Sequence, residues 1–308
     1  MPQFSLTELY KLHAFYMFGK SMLNNRDFTC TYGRLEPVSP LIRRIVAKNP
    51  GPFTFMGTGT YVVGRGKVAV IDPGPLLPAH IDALLMALAG ESVSHILVTH
   101  THADHSPAAA PVQVATSAPT LGFGPHGRTG DTGEAGADLA FVPDVALADG
   151  DVVEGDGWRL EALHTPGHAS NHLCFALPQE SVLFSGDQVM GWSTTVIAPP
   201  DGSMAAYMRS LDRLSRRHDA IYWPTHGGPI RDPRGHVAEL IAHRLARRQA
   251  ILAALSGAGL TPPELVRRVY TGLDPRLVSA AAQSVLAHLI ELAESGLAEE
   301  ERGRWRRQ

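Results

Sequence analysis

The 308-residue chain sets 27 Lys and Arg against 30 Asp and Glu, a net charge of −3, so no global basic field argues for nucleic acid. An apolar content of 44% suffices for one large core and a small satellite domain. Two cysteines, Cys30 and Cys174, are too few for a disulfide framework; they fit a reducing, cytoplasmic setting, with Cys174 as packing inside an apolar run.

Residues 1–36 read as an N-terminal extension. Their apolar and aromatic residues are interrupted by Lys11, His13 and Lys20, which supports neither a signal peptide nor a membrane span. From Pro37 the text becomes structured. A strand over Leu41–Ala47, a turn at Asn49-Pro50-Gly51-Pro52 and two further strands around Gly64-Arg65-Gly66 predict a β-hairpin ending in Asp72-Pro73-Gly74. Ile81, Leu84, Leu85 and Leu88 share one face of a helix.

The next apolar run, 93–98, reads as a buried strand and delivers Thr99 to Ser106, THTHADHS, at its carboxyl end. Alternate side chains of an extended segment point the same way, so His100 and His102 can grip one ion, while Asp104 and His105 follow where the chain turns and can face a second. Imidazole with carboxylate suits zinc, with manganese or iron as competitors. The Gly-rich stretch 121–138 lacks the order of a phosphate-binding loop and is expected at the rim of the site, with His126 as a solvated loop residue. Strands at 151–153 and 159–163 lead into His164-Thr165-Pro166-Gly167-His168. A hairpin, 173–177 and 182–184, leads into Ser185-Gly186-Asp187. Helix 204–217 and strand 220–223 then lead into Pro224-Thr225-His226-Gly227-Gly228. His164 and His172 are extra imidazoles that are expected to back the site rather than ligate, because one ion has only so many positions.

THTHADHS resembles the signature of the metallo-β-lactamase superfamily, and GTGTYVVG…AVIDPG, HTPGH, SGD and the late His226 resemble that family's other motifs in the same order. The resemblance implies an α/β fold, an αββα sandwich, over residues 37–238, with a dinuclear zinc site and hydrolysis by a metal-bridging hydroxide. It implies His100, His102 and His168 on one metal, Asp104, His105 and His226 on the other, and Asp187 bridging both. Asp104 would also handle the proton, and Asp72 would hold the ligands from behind.

Residues 239–308 are mostly helical: 239–255, a capped helix opening at Thr261-Pro262-Pro263-Glu264, a helix over 279–295 and a hairpin around Gly303, together resembling a winged helix. With the Ala-His-Arg-x-x-Arg-x-x-x-Ile stretch at 242–251, this looks like the branch that includes the mitochondrial metallo-β-lactamase-like endoribonuclease. Single-stranded RNA is thus the leading substrate, to be held by Arg244, Arg247, Arg248, Arg267, Arg268, Arg302, Arg304, Arg306 and Arg307. One alternative is a glyoxalase II-like hydrolase of small esters or thioesters, with Tyr207 or Arg209 at the substrate. Another is a nucleic-acid-binding protein with little activity. A homodimer fits the winged helix, and no membrane partner is expected.

Overall fold

The computed structural model describes residues 23, 25–127 and 136–308. Expectations placed on residues 1–22, 24 and 128–135 lie outside it. The first sheet takes its strands in chain order: β1 (Glu36–Pro37), β2 (Ile42–Val46), β3 (Gly59–Val63), β4 (Lys67–Ile71), β5 (Ser92–Leu97), β6 (Thr120–Gly122) and β7 (Val145–Ala146). Pairing is antiparallel up to β4 and parallel from β4 to β7. Parallel neighbours need crossovers, which α1 (Pro78–Ala87) and α2 (Ala109–Thr116) supply. The short β6 and β7 lacked the length that makes a strand visible as a sequence pattern.

The second sheet runs β12-β11-β10-β9-β8, from β8 (Val152–Gly155), β9 (Trp158–His164), β10 (Leu173–Leu177), β11 (Val182–Gly186) and β12 (Ile221–Pro224). Only β11–β12 is parallel, and α3 (Met204–Ser215) joins them. Alternation decides the layers. On β3 to β5, Tyr61, Val63, Ala69, Ile71 and Leu97 face Leu160, Leu173, Phe175 and Phe184 of the other sheet. Their neighbours Val62, Val68, Val70 and Ile96 pack on Ile81 and Leu84 of α1 and Val112 of α2. Cys174 and Leu183 point out of the second sheet toward Tyr207, Leu211 and Leu214 of α3. Cys174 is packing, as expected; burial pushes its thiol up to about 12.

Helix α4 (Pro233–Ala254) starts six residues before the sequence pattern announces it, because Asp232 caps it through Gly235 N–H and Pro233 occupies its first turn. Its Val237 and Leu240 pack on the second sheet, whereas Ile251 joins a separate cluster. The division expected after residue 238 therefore falls inside this helix. The separate cluster holds α5 (Pro262–Val269), α6 (Val278–Glu294) and the β13 (Ala298–Glu301)–β14 (Arg304–Arg307) hairpin, a winged helix as expected. The 20-residue stretch Pro275–Glu294 is apolar enough to cross a membrane by length and composition; in this fold α6, which forms most of it, buries Val285, Leu289 and Leu292 in that cluster.

Candidate metal centre

The motifs meet because every one of them follows the carboxyl end of a strand. Asp72 follows β4 and Thr99 lies just past β5, its parallel neighbour; the His164–His168 turn follows β9, Asp187 follows β11, and Thr225 and His226 follow β12. The two sheets are stitched together at this edge. Gly59 N donates to Thr225 O at 2.9 Å, Leu173 N to Thr99 O at 2.7 Å, and Tyr61 Oη to Pro224 O at 2.7 Å. The buried Arg44 spans the same gap, donating to Thr225 O at 2.9 Å and Gly227 O at 2.7 Å on either side of His226.

Seven donor side chains converge there. His100, His102 and His168 form one group, Asp104, His105 and His226 another, and Asp187 joins His100 and His105 in a third; donor atoms within each group lie within 4.8 Å of one another. Asp187 Oδ2 stands between the histidine groups, 3.7 Å from His168 Nε2 and 3.3 Å from His226 Nε2. His105 Nε2, His168 Nε2 and Asp187 Oδ1 are buried with no hydrogen-bond partner among the described residues. Buried polar atoms are nearly always paired, so three orphans within one cluster of seven donors fit a cation.

The surrounding bonds select the ring nitrogen each histidine offers. Asp72 accepts from Thr99 N at 2.7 Å and from Thr99 Oγ1 at 2.8 Å, so the Thr99 oxygen, 3.0 Å from His100 Nδ1, accepts that ring's proton and leaves Nε2 as a lone pair. His100 Nε2 stands 2.9 Å from His102 Nδ1. His168 Nδ1 donates to Val196 O at 2.7 Å, His226 Nδ1 to Gly57 O at 3.2 Å, and His105 Nδ1 to Asp72 Oδ2 at 2.9 Å; each ring turns its Nε2 inward. Thr58 Oγ1 donates to Asp104 Oδ2 at 2.8 Å, its own oxygen accepting from Asn49 Nδ2 at 2.9 Å.

The charges divide the site. Burial, aided by the neighbouring imidazoles, pushes His100 well below the usual range and His168 down to about 4, so both are neutral donors. Burial acts the same way on His105 and His226, but the carboxylates around them win: His105 is raised well above the ordinary value and His226 to about 10. Asp104 and Asp187 are in turn held below the carboxylate range against the effect of burial, Asp104 with His105 as the leading charge and Asp187 with His226. Two carboxylates thus draw positive charge into this half of the site.

Of the backing residues, Asp72 grips Thr99 and His105. His172 accepts from Asp187 N at 3.2 Å through Nε2, with Nδ1 facing Thr165 Oγ1 at 3.0 Å. His164 touches none of the donors; Nε2 donates to Ser170 O at 2.9 Å and its ring stacks on Phe123 at 4.0 Å. Two of the close glycine approaches bear directly on the donors. At φ +150° a Cβ on Gly167 would stand 2.4 Å from Tyr207 Cα, and at φ +52° one on Gly186 would stand 2.5 Å from His172 Nε2.

Three expectations are corrected. His126 is buried, its Nδ1 2.9 Å from Thr101 Oγ1, because Asn171 Nδ2 holds the neighbouring Gly124 and Pro125 carbonyls against the same threonine. Tyr207 is buried beneath the His168 turn and faces no cleft; Arg209 is exposed. Five of the arginines assigned to RNA make contacts within the protein. Arg244 is buried and donates to Thr195 O, Arg247 donates to Val269 O over the Tyr270 ring, Arg248 pairs with Glu291, Arg304 with Glu264 and Arg306 with Glu299. Sequence reasoning also missed Arg44 and Asn49, which lie in no motif, and the role of Thr58, which lies within GTGTYVVG.

The profile described as Metallo-beta-lactamase superfamily matches residues 54–226, and that of the Beta-lactamase associated winged helix domain matches residues 261–305. The chain is 33% identical over 277 residues to the lactamase-like protein adaB of Aspergillus niger, covering 84% of this chain and 82% of that one. It is 31% identical over 275 residues to an atrochrysone carboxyl ACP thioesterase of Paecilomyces divaricatus, covering 85% and 82%. A beta-lactamase domain protein from Burkholderia ambifaria shares the fold at a TM-score of 0.77 with 22% identity, over 92% of this chain and 96% of that one.

Proposed function

The chain belongs to the metallo-β-lactamase superfamily of hydrolases, and on that premise we propose that it is a dizinc thioesterase acting on a small or carrier-bound acyl thioester. The observation that carries this reading is the likeness to a thioesterase over 85% of the chain, in a protein that keeps all seven donors together. A set of five imidazoles and two carboxylates suits zinc. When bound, two divalent ions supply an activated water at neutral pH and stabilise the oxyanion that forms at the carbonyl.

The chain's own residues do the rest. His100, His102 and His168 hold one position, Asp104, His105 and His226 the other, and Asp187 lies between. Asp104, whose side chain is 26% exposed and aimed by Thr58, is placed to take the proton of the attacking water. A thiol, with an ordinary pKa of about 8.5, leaves as thiolate and asks for no general acid. The phosphodiester reading drew on the winged-helix arginines, of which Arg244 is buried, Arg247 and Arg248 are held by neighbouring groups, and Arg304 and Arg306 are paired at the surface, and the likeness to a thioesterase favours the thioester over it. A binding protein with a dead site would lack donors, and none is missing.

The test is a side-by-side assay of metal-loaded protein on acyl-CoA and acyl-carrier thioesters and on single-stranded RNA, with Asp187→Ala as the blank. Thioester turnover absent from the variant is expected. RNA cleavage without thioester turnover would overturn the reading.

A further inference from the structure

We propose that Arg244, in the helix shared with the winged-helix cluster, is a positioning residue for the His100/His102/His168 half of the site, acting through the loop from Asp187 to Ser203. The inference rests on the metal-dependent reading above. The loop touches the site twice: Val196 O accepts the Nδ1 proton of His168 at 2.7 Å, and Thr195 Oγ1 donates to Asp187 O at 2.7 Å. From behind, the helices hold it three times. Arg244 Nη2 donates to Thr195 O, His236 Nε2 donates to Met190 O at 3.0 Å, and Ser284 Oγ of α6 accepts from Ile197 N at 3.4 Å. Arg244 therefore fixes the carbonyl immediately before the one that orients His168.

The setting of Arg244 is that of a functional group more than a surface charge. It is 3% exposed, its guanidinium lies 5.3 Å over the Tyr207 ring, and among the described residues its Nε has no hydrogen-bond partner and no carboxylate pairs with it. Tyr207 in turn packs its backbone against Gly167, next to His168. Arg244 thus braces the His168 turn from two sides, through Thr195 and through Tyr207. A buried, unpaired charge is costly, and planar recognition of a carbonyl is what a guanidinium does better than an ammonium.

The experiment is a zinc titration against a chromophoric chelator, with cobalt(II) spectra of the same chains, on the full-length wild type, Arg244→Gln, Arg244→Lys, Ser284→Ala and, as a control for lost stability, Leu292→Ala. The expected result is one ion at wild-type affinity and one weakened ten- to a hundredfold in Arg244→Gln, with an altered cobalt spectrum. Arg244→Lys should recover part of the loss, Ser284→Ala should show a severalfold weakening of the same ion, and Leu292→Ala should bind both ions normally. If Arg244→Gln does not fold, Arg244→Lys decides the matter, with Ser284→Ala as an independent reading of the same loop. Two ions at wild-type affinity in the folded Arg244 and Ser284 variants would overturn the inference while leaving the hydrolase reading intact. A wild type that binds no divalent ion would overturn both.

Discussion

Asp72 Oδ2 lies 2.9 Å from Nδ1 of His105, and the same carboxylate accepts from the Thr99 amide and hydroxyl and, at 3.2 Å, from Thr225 Oγ1. One buried acid at the end of β4 thereby fixes residues that follow β5 and β12. Asp72→Asn should weaken metal binding by about 10–100-fold by removing the charge behind His105. Asp72→Ala should also cost about 2–4 kcal/mol of stability, because it strands several buried donors. Metal titration and urea melts of the two variants measure these effects separately.

The His168 turn depends on a missing side chain. Gly167→Ala would drive a Cβ to 2.4 Å from Tyr207 Cα and 2.6 Å from its amide nitrogen, so the turn must move off α3 and carry His168 with it. A loss of about 1–3 kcal/mol is expected, together with one weakened ion. Gly66→Ala is the comparison: at φ +71° with nothing near its Cβ, it should cost about 1 kcal/mol and leave both ions bound. Thermal melts and bound metal per chain distinguish the two.

His288 on α6 gives the winged-helix junction a pH dependence. It is 1% exposed, both ring nitrogens lack partners among the described residues, and burial, helped by Arg244, Arg247, His243 and Arg248, pushes it down to about 3. The unfolded chain takes up this proton at its ordinary pKa of about 6.5, so the stability from a neutral His288 is full above that pH and is lost as pH falls toward 3. The loss is about 1.4 kcal/mol per pH unit. His288→Leu should be at least as stable as wild type at pH 7 and less acid-sensitive between pH 6 and 4. Equal acid sensitivity in urea melts of the two chains would contradict this.

The site was legible where its residues are contiguous in sequence. THTHADHS, HTPGH and SGD each place a donor within a few residues of a strand end, where the local pattern is enough to locate it. Of what holds those donors Asp72 was legible from its motif, but Arg44 was not, because Arg44 and Thr225 are 181 positions apart and meet only when the two sheets close. The arginines of α4 misled for a related reason. A helix that packs against two clusters at once has no single polar face, so residues spaced like a solvated stripe are instead buried, as Arg244 is, or paired across helices, as Arg248 is with Glu291 at 2.7 Å. Tyr207 read as a substrate contact, and its place beneath Gly167 depends on a turn outside its own helix.

The most direct test of the account is thioester turnover as a function of zinc added back to chelated wild-type protein. The account predicts no turnover in the stripped chain and a rise that levels at two equivalents per chain. Stripped protein that hydrolyses the thioester at the loaded rate, or loaded protein that never does, would contradict it.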